Sequence, residues 1–335
     1  MAKTTDTAQF DHIIVKKQSV GERMYKYRYF YLMFIPVALV LFVFYYWPMA
    51  GVRFAFSTYK LKQIATQAGP DYSIGLGNFA KLMDSPPFLA SLTNTLTLSI
   101  VKLLLSTFVT VFIALLLNEI GTMWFKKFVQ TVLYLPHFLS WVVAASIFML
   151  ILSAGTDASG ESSANMGFVN AIIWNICDLF GVKYKAIDFV STSSTWRGVW
   201  YVMNLWKETG WGTIIYLAAL SGISPDLYEA AEIDGAGRIK QTWYITIPSL
   251  MNTILVVFIL NLAKVMNIFE SVFVLYNSLV YDVSDVVQTY TYRVGIVGNN
   301  YGYSTAIGLF KSLISLILVS ASDYITKRIR GYGIV

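Results

Sequence analysis

The side chains equipped for chemistry in this 335-residue chain sit inside its most apolar stretches. Asn204, Lys207, Glu208 and Trp211 fall at i, i+3, i+4 and i+7, and Tyr201 extends that stripe by one helical turn. Trp206 falls on roughly the opposite face. Asn261, Lys264, Asn267 and Glu270 follow at three-residue steps, while Asn94, Lys102 and Lys311 lie in other apolar runs. A charge at the centre of a bilayer costs about 2.5–3.5 kcal/mol on insertion scales, so such groups face a cavity or a partner. Two readings stay open: the residues line a polar passage, or they tie helices together while Lys102 and Lys311 snorkel. Neither is catalysis. Cys177 is the single cysteine, which excludes an intrachain disulfide and a cysteine metal cage. His12 and His137 are far apart and no H-E-x-x-H helix exists. No clustered acid, base or metal set marks an intramembrane enzyme. His137 follows Pro136 and reads as a packing histidine in a proline-kinked span, with a proton relay as the alternative.

The elements that must position these residues are membrane helices. Hydrophobic residues make up 56% of the chain and charged residues 13%, where a soluble domain carries about a quarter charged residues. Six apolar segments are long enough for the ~20-residue crossing of a bilayer: Phe30–Pro48, Leu92–Leu117, Phe128–Leu152, Arg197–Leu220, Met251–Leu275 and Thr305–Ile325. The expected architecture is an all-α polytopic membrane protein of about six transmembrane helices. Residues 1–29 form a polar N-terminal segment, 30–325 the membrane domain and 326–335 a basic tail. Lys16, Lys17, Arg23, Lys26 and Arg28 precede the first span, Lys126 and Lys127 fill a short turn, Arg238 and Lys240 lie in loop 221–249, and Lys327, Arg328 and Arg330 in the tail. An even span count puts all four on one side, the cytoplasm by the positive-inside rule, with both termini there. Arg53, Lys60, Lys62, Lys183 and Lys185 fall opposite, so the bias is incomplete. The net charge of +6 reads as membrane anchoring, not nucleic-acid binding. The start of the chain lacks an apolar core followed by a small-residue cleavage site, so no removable signal peptide is expected. Loop 153–196 then lies outside, and Phe168, Ile172, Ile173, Ile176 and Leu179 predict a surface helix over Met166–Phe180.

Loop 221–249 holds the most informative run, Tyr228-Glu229-Ala230-Ala231-Glu232-Ile233-Asp234-Gly235-Ala236, leading to Ile245-Thr246-Ile247-Pro248. Ser224 caps a helix opened by Pro225 and Asp226, whose acid suits the positive helix end. Leu227, Ala230, Ala231 and Asp234 share one mostly small-residue face. Gly235 and Gly237 allow a tight bend; a second helix begins near Arg238, and Pro248 is expected to break it before the fifth span. Such a helix–turn–helix suits docking into a groove on another protein.

This segment resembles the E-A-A, three residues, G, nine residues, I-x-L-P pattern of permease subunits of binding-protein-dependent ABC importers. Glu229, Ala230, Ala231, Gly235, Ile245 and Pro248 match, and Ile247 stands where leucine is usual. Tyr46–Gly51, Leu115–Ile120, Tyr134–Val142, Trp211–Leu220 and Ala306–Lys311 also look like the polysaccharide branch of the maltose-permease-like carbohydrate importers, and the likeness runs from about Tyr25 onward. The resemblance implies a type I importer core in the bacterial cytoplasmic (inner) membrane. It further implies a second homologous permease, two ATPase subunits that hold ATP and Mg, and an extracytoplasmic binding protein that delivers an oligosaccharide. Glu229, Ala230, Ala231, Asp234, Gly235, Ala236, Arg238 and Pro248 then belong to the ATPase-coupling element. The chain has no G-x-x-x-x-G-K-[ST] phosphate loop, so it is expected to bind no nucleotide or cofactor and to be no enzyme. In a sugar pathway, rings such as Trp211 stack on pyranose faces while amides and charges bond hydroxyls. Lys207 and Lys264 suit an acidic sugar, but Glu208 and Glu270 beside them leave a neutral glycan equally open. The competing classes are an ion-coupled secondary transporter, which often shows internal repeats absent here, and an ABC importer for a peptide or amino acid.

Overall fold

The computed structural model describes residues 19–57, 75–155 and 166–330. Among them every regular element is helical, and the chain divides into two units at Arg53/Phe54. Lys16, Lys17, His12, Lys60, Lys62 and the last five residues lie outside the described ones.

The first unit holds α1 (Val20–Lys26) and α2 (Arg28–Leu41). Ser19 and Glu22 cap α1 reciprocally: Glu22 N donates to Ser19 Oγ (3.2 Å) and Ser19 N to Glu22 Oε2 (3.0 Å), which satisfies two otherwise orphan donors. The first membrane span runs Arg28–Phe56 and none of its most apolar stretch is buried, as suits a helix solvated by lipid. Within it a π turn, Phe42–Tyr46, precedes Pro48. Trp47 N donates to Phe42 O, so the wider ring absorbs the hydrogen bond that proline cannot make.

The second unit contains α3 (Gly77–Met83), α4 (Pro86–Glu119), α5 (Met123–Tyr134), α6 (Trp141–Leu152), α7 (Phe168–Leu179), α8 (Ser193–Ser221), α9 (Pro225–Ile233), α10 (Arg238–Ala263), α11 (Phe269–Phe273), a single turn at Tyr281–Ser284, α12 (Val287–Tyr292) and α13 (Tyr301–Arg330). By length and apolarity α4, α10 and α13 can cross a membrane, as can the first span, and the bent pair α5–α6 adds a fifth crossing if it is one broken span rather than a re-entrant loop. That makes four or five spans among the described residues, where the sequence led us to expect six. The remaining segment is α8, whose 29 residues reach roughly 43 Å at 1.5 Å per residue but include Arg197, Lys207 and Glu208.

Two expected spans differ in kind. Phe128–Leu152 is not one kinked helix: α5 and α6 meet at 104°. Pro136 lies in a 3₁₀ turn (Leu135–Phe138), Leu139 is extended, and Ser140 starts α6 by accepting from Val143 N (3.2 Å). Met251–Leu275 is not continuous either. Its helix begins earlier, at Arg238, and stops at Ala263, so Asn261 and Glu270 are on different elements. Gln288 stabilises that stop, its Oε1 accepting from Ile268 N (2.8 Å) and Phe269 N (2.9 Å), two donors of the helix start at α11. The break expected at Pro248 is missing, because a π turn over Thr242–Thr246 precedes it and Ile247 N donates to Thr242 O.

α8 is the central strut of this unit. Its Trp196, Trp200 and Met203 are fully buried against Leu98, Val272, Leu275 and Val286, and its other end packs Tyr216 and Leu220 on Ala114 and Leu250. Lipid tails are as apolar as leucine, so close packing rather than hydrophobic transfer holds such helices together. Two glycines make that packing possible. A Cβ on Gly210 would sit 1.9 Å from Leu133 O, and one on Gly212 would sit 2.9 Å from Thr110 Cγ2. The helix predicted over Met166–Phe180 is α7. Its own Asn170 is wholly buried and ties α7 to the flanking chain: Nδ2 donates to Leu152 O, Ser153 O and Ile187 O, while Oδ1 accepts from Tyr184 Oη and Ile187 N.

Gly210→Ala should separate α8 from α5, since the contact is with backbone and cannot swing aside. We expect the detergent-solubilised protein to lose several degrees of Tm, on the scale of roughly 1–3 kcal/mol for overpacking. Gly198→Ala on the same helix, where a Cβ meets nothing within 4 Å, should leave Tm unchanged.

Candidate functional site

A cavity of about 540 Å³ opens where α4, the α5–α6 break, α8 and the end of α10 meet. α4 contributes Ser99, Lys102, Ser106, Thr107 and Thr110; the break contributes His137, and α6 Trp141. α8 adds Glu208, Trp211 and Tyr216, α10 adds Asn261, and the irregular stretch after it adds Lys264 and Asn267. Of the residues singled out by spacing, Glu208, Trp211, Asn261, Lys264 and Asn267 line the space. Tyr201, Asn204, Lys207 and Glu270 do not.

The local chemistry explains the split. Breaking span three frees carbonyls that a helix would have used, and in a membrane these need partners. Lys207 supplies one: only 5% exposed, its Nζ donates to His137 O at 2.8 Å and lies 4.9 Å from the centre of the Trp141 ring. Glu208 Oε1 is 3.6 Å from the same Nζ, and Glu208 Oε2 is 3.2 Å from His137 Nδ1. His137 stacks face to face on Trp211, 4.6 Å between centres and 4° between planes, with Phe138 edge-on to the same indole. Asn204 is 1% exposed and donates to Trp200 O in its own helix. Tyr201 Oη reaches Thr97 O (3.4 Å), and Glu270 is exposed on α11. The other apolar-run residues divide similarly. Asn94 donates to Asp282 O and Asp285 O and accepts from Arg197 Nη2, which ties α4 to the 281–285 turn and α8. Lys311 Nζ donates to Asn267 Oδ1 at 2.7 Å, at the cavity's edge.

The cavity lining holds more basic than acidic side chains: Lys102 and Lys264 accompany the single carboxylate of Glu208, beside the His137 imidazole. His137 and Lys102 were weaker signals in the sequence: a lone histidine after proline carries no pattern, and the polar neighbours of Lys102 at helical spacing are only the serines Ser99 and Ser106, which apolar helices tolerate. Ser140 was the available signal for the break, being a helix-capping residue four positions after Pro136.

The second element is the hairpin after α8. Ser224 Oγ accepts from Asp226 N (3.4 Å) and Pro225 opens α9. Gly235 has φ +73°; Ala236 N donates to Ala231 O (2.8 Å) and Gly235 N to Glu232 O (3.0 Å). This is a Schellman ending, which a residue with a Cβ disfavours. Gly237, by contrast, has an ordinary extended φ of −68°. Tyr228 and Thr246 share a hydrogen bond of 3.0 Å, Gln241 Nε2 donates to Ala236 O, and Arg238 pairs with Glu119 at the end of α4 (3.3 Å). No residue of α9 is buried, and Ile233, Ile239 and Tyr244 are largely exposed. A rigid hairpin thus projects an unpartnered mixed face.

Residues 106–331 match the family model for the binding-protein-dependent transport system inner membrane component. The chain is 36% identical over 328 residues to the polygalacturonan/rhamnogalacturonan transport system permease protein YteP of Bacillus subtilis (strain 168), covering 97% of this chain and 96% of that protein. It is 36% identical to Protein LplB of the same organism, over 92% of this chain and 91% of the other. Among solved structures, a chain in the crystal structure of a bacterial alginate ABC transporter in complex with alginate pentasaccharide-bound periplasmic protein superposes with a TM-score of 0.80. Identity there is 32%, covering 95% of this chain and all of that one.

Lys207→Met removes the donor to His137 O while keeping the buried stem. An unsatisfied buried carbonyl costs about 1–3 kcal/mol, so we expect lower thermal stability with faster hydrogen exchange confined to residues 135–140. Unchanged exchange there would mean that the carbonyl does not depend on Lys207.

Proposed function

The chain belongs to the binding-protein-dependent transport system inner membrane components, and on that premise we propose that it passes an acidic oligosaccharide through the cavity between α4, α8 and α10. It is a multi-pass inner-membrane permease of the sugar-importer type. The observation that carries the substrate reading is the cavity's lining: two lysines, Lys102 and Lys264, against the one carboxylate of Glu208. Such a wall attracts uronate carboxylates, and Trp211 and Trp141 offer rings on which a pyranose stacks. Support comes from the relatives, one named for polygalacturonan/rhamnogalacturonan transport and another structure described as importing the acidic polysaccharide alginate. Within the site, Glu208, Trp211, Asn261, Lys264 and Asn267 contact substrate. Tyr201, Asn204 and Lys207 hold the wall behind them, and Glu270 stands outside.

The hairpin Pro225–Arg238 is the coupling element. Its exposed Glu229, Glu232 and Ile233 dock on a partner ATPase that carries ATP and Mg, and Gly235 fixes the angle between its two helices. A second homologous permease completes the pathway, two ATPase subunits drive it, and an extracytoplasmic binding protein loads it. Lys126, Lys127, Arg238, Lys240, Lys327 and Arg328 then face the cytoplasm with both termini. ATP-driven motion needs contacts that differ between two states, and the Schellman-locked hairpin can transmit them without bending.

The test is the reconstituted importer in lipid vesicles. Binding protein loaded with oligogalacturonide should stimulate ATP hydrolysis and uptake, and Glu229→Ala should reduce both by weakening docking. Uptake driven by a proton gradient without ATP would sink the reading. Lys264→Gln should raise KM for uronate oligomers about tenfold, the loss of one charge-assisted hydrogen bond, and leave a neutral oligosaccharide of equal length less affected.

A further inference from the structure

α7 serves neither the cavity nor the coupling hairpin, although its periodicity is plain in the sequence. Its 12 residues reach roughly 18 Å at 1.5 Å per residue, too short for the ~30 Å hydrocarbon core of a bilayer. Its side chains divide into three sectors. Val169, Asn170, Ile173 and Cys177 make the buried or half-buried side. Phe168, Ile172, Ile176 and Leu179 share an arc of about 80° and are 42–81% exposed. Asn175 and Asp178 are exposed beyond that stripe, on the side away from the buried sector, and Trp174 borders them. An apolar helix of this length is either core or interfacial, and the exposed stripe excludes core.

Both ends of the stripe are fixed. At its start α7 presses on the last turn of α6: Gly167 N donates to Ser153 O (2.9 Å), and a Cβ on Gly167 would sit 2.5 Å from Ile151 O. α6 is apolar up to that turn, and its Leu150 is itself largely exposed. At the other end Gly181 has φ +67°, Val182 N donates to Cys177 O (2.8 Å) and Gly181 N to Asp178 O (3.0 Å), a Schellman ending. Phe180 and Val182 follow, also largely exposed, and then the exposed Lys183 and Lys185. An apolar stripe that starts beside the end of an apolar helix, bordered by a polar sector and closed by two lysines, is the pattern of a helix lying in the plane of a bilayer interface. The lysines complement the phosphates of anionic lipid headgroups. Apolarity and charge thus match one occupant.

We propose that α7 is a lipid-binding surface, lying in the membrane interface at the end of α8 opposite the coupling hairpin, with Phe168, Ile172, Ile176 and Leu179 among acyl chains and Lys183 and Lys185 on lipid phosphates. The inference does not depend on the oligosaccharide reading, since it holds for whatever solute passes through the cavity. It gives the burial of Asn170 a purpose. That one amide fastens the helix to Leu152 O at the end of α6 and to Ile187 just before α8. Contact between α7 and the bilayer therefore sets the depth at which α8 begins, while the other end of α8 leads into the hairpin.

The experiment uses the complete importer, with cysteine-free partner subunits, in vesicles of phosphatidylcholine and phosphatidylglycerol. Cys177 is the chain's only cysteine, so in a Cys177→Ser background Ile172→Cys, Ile176→Cys and Asp178→Cys each carry a single nitroxide label. Collisions with oxygen, which concentrates among acyl chains, are compared with collisions with a water-soluble nickel chelate. The proposal predicts an oxygen-to-chelate ratio severalfold higher at the two stripe positions than at position 178, at a depth of about 5–10 Å in the headgroup–acyl boundary. Equal access of the chelate to all three overturns it. Stripe labels shielded from both reagents overturn it too and assign the stripe to a protein, the binding protein if shielding appears only on its addition and the second permease otherwise. The unsubstituted chain gives an independent readout: phosphatidylglycerol with a photoreactive diazirine on its acyl chain should form adducts within residues 168–182. Adducts on the first span with none on 168–182 overturn the proposal. Neither readout measures uptake, so failure of the substrate reading leaves the result standing.

Discussion

Backbone groups at membrane depth must be satisfied, and the way the α5–α6 break meets that demand governs the rest of the second unit. A 104° turn inside an apolar crossing exposes carbonyls and amides to hydrocarbon unless the protein supplies partners. Here Ser140 caps the new helix and Lys207 reaches across from α8 to His137 O. For Lys207 to reach, α8 must approach α5 closely, and Gly210 against Leu133 O provides that approach. The same contact brings Glu208 to His137 and Trp211 onto its ring. A buried lysine is tolerable because it has a carbonyl, a carboxylate and an indole around it, which together offset its desolvation.

The second break obeys the same rule with different chemistry. After Ala263 the helix stops, and Gln288 from α12 accepts the first amides of α11. Stopping there leaves Lys264 and Asn267 on irregular backbone at the cavity. Non-helical backbone at membrane depth occurs where it lines a cavity or is buried in protein, and both breaks border the same space. Pro36 sits inside α2 without interrupting it, and Pro48 and Pro248, which also leave their helices intact, are each preceded by a π turn. Proline alone therefore does not decide where a helix breaks; the break after Pro136 is the one whose freed carbonyl meets a polar partner, Lys207.

The hairpin after α8 differs from the cavity in being local. Its cap, its glycine in the left-handed region and its Schellman bonds all join residues within six positions. Only Tyr228–Thr246 and the exposed Arg238–Glu119 pair reach further, and an exposed ion pair adds little. Its rigidity comes from short-range hydrogen bonds, which suits an element that transmits force.

That contrast sets what could be read without coordinates. The all-helical membrane class, the start of the hairpin at Ser224, its bend at Gly235, the second helix at Arg238 and α7 followed from sequence, because each rests on hydrophobic length, helical period or a cap within a few residues. Glu208, Trp211, Asn261, Lys264 and Asn267 were also found, since polar groups in apolar runs are costly and conspicuous. Tertiary structure alone decided that Lys207 and Asn204 point away from the cavity while His137 and Lys102 line it, and that spans three and five are interrupted. Those outcomes depend on Lys207 meeting a carbonyl seventy residues away, on Gln288 capping a helix twenty residues before it, and on the absence of a Cβ at Gly210. Local periodicity carries no information about which distant donor will meet a freed carbonyl. In a bilayer, where water cannot substitute, that pairing determines the structure.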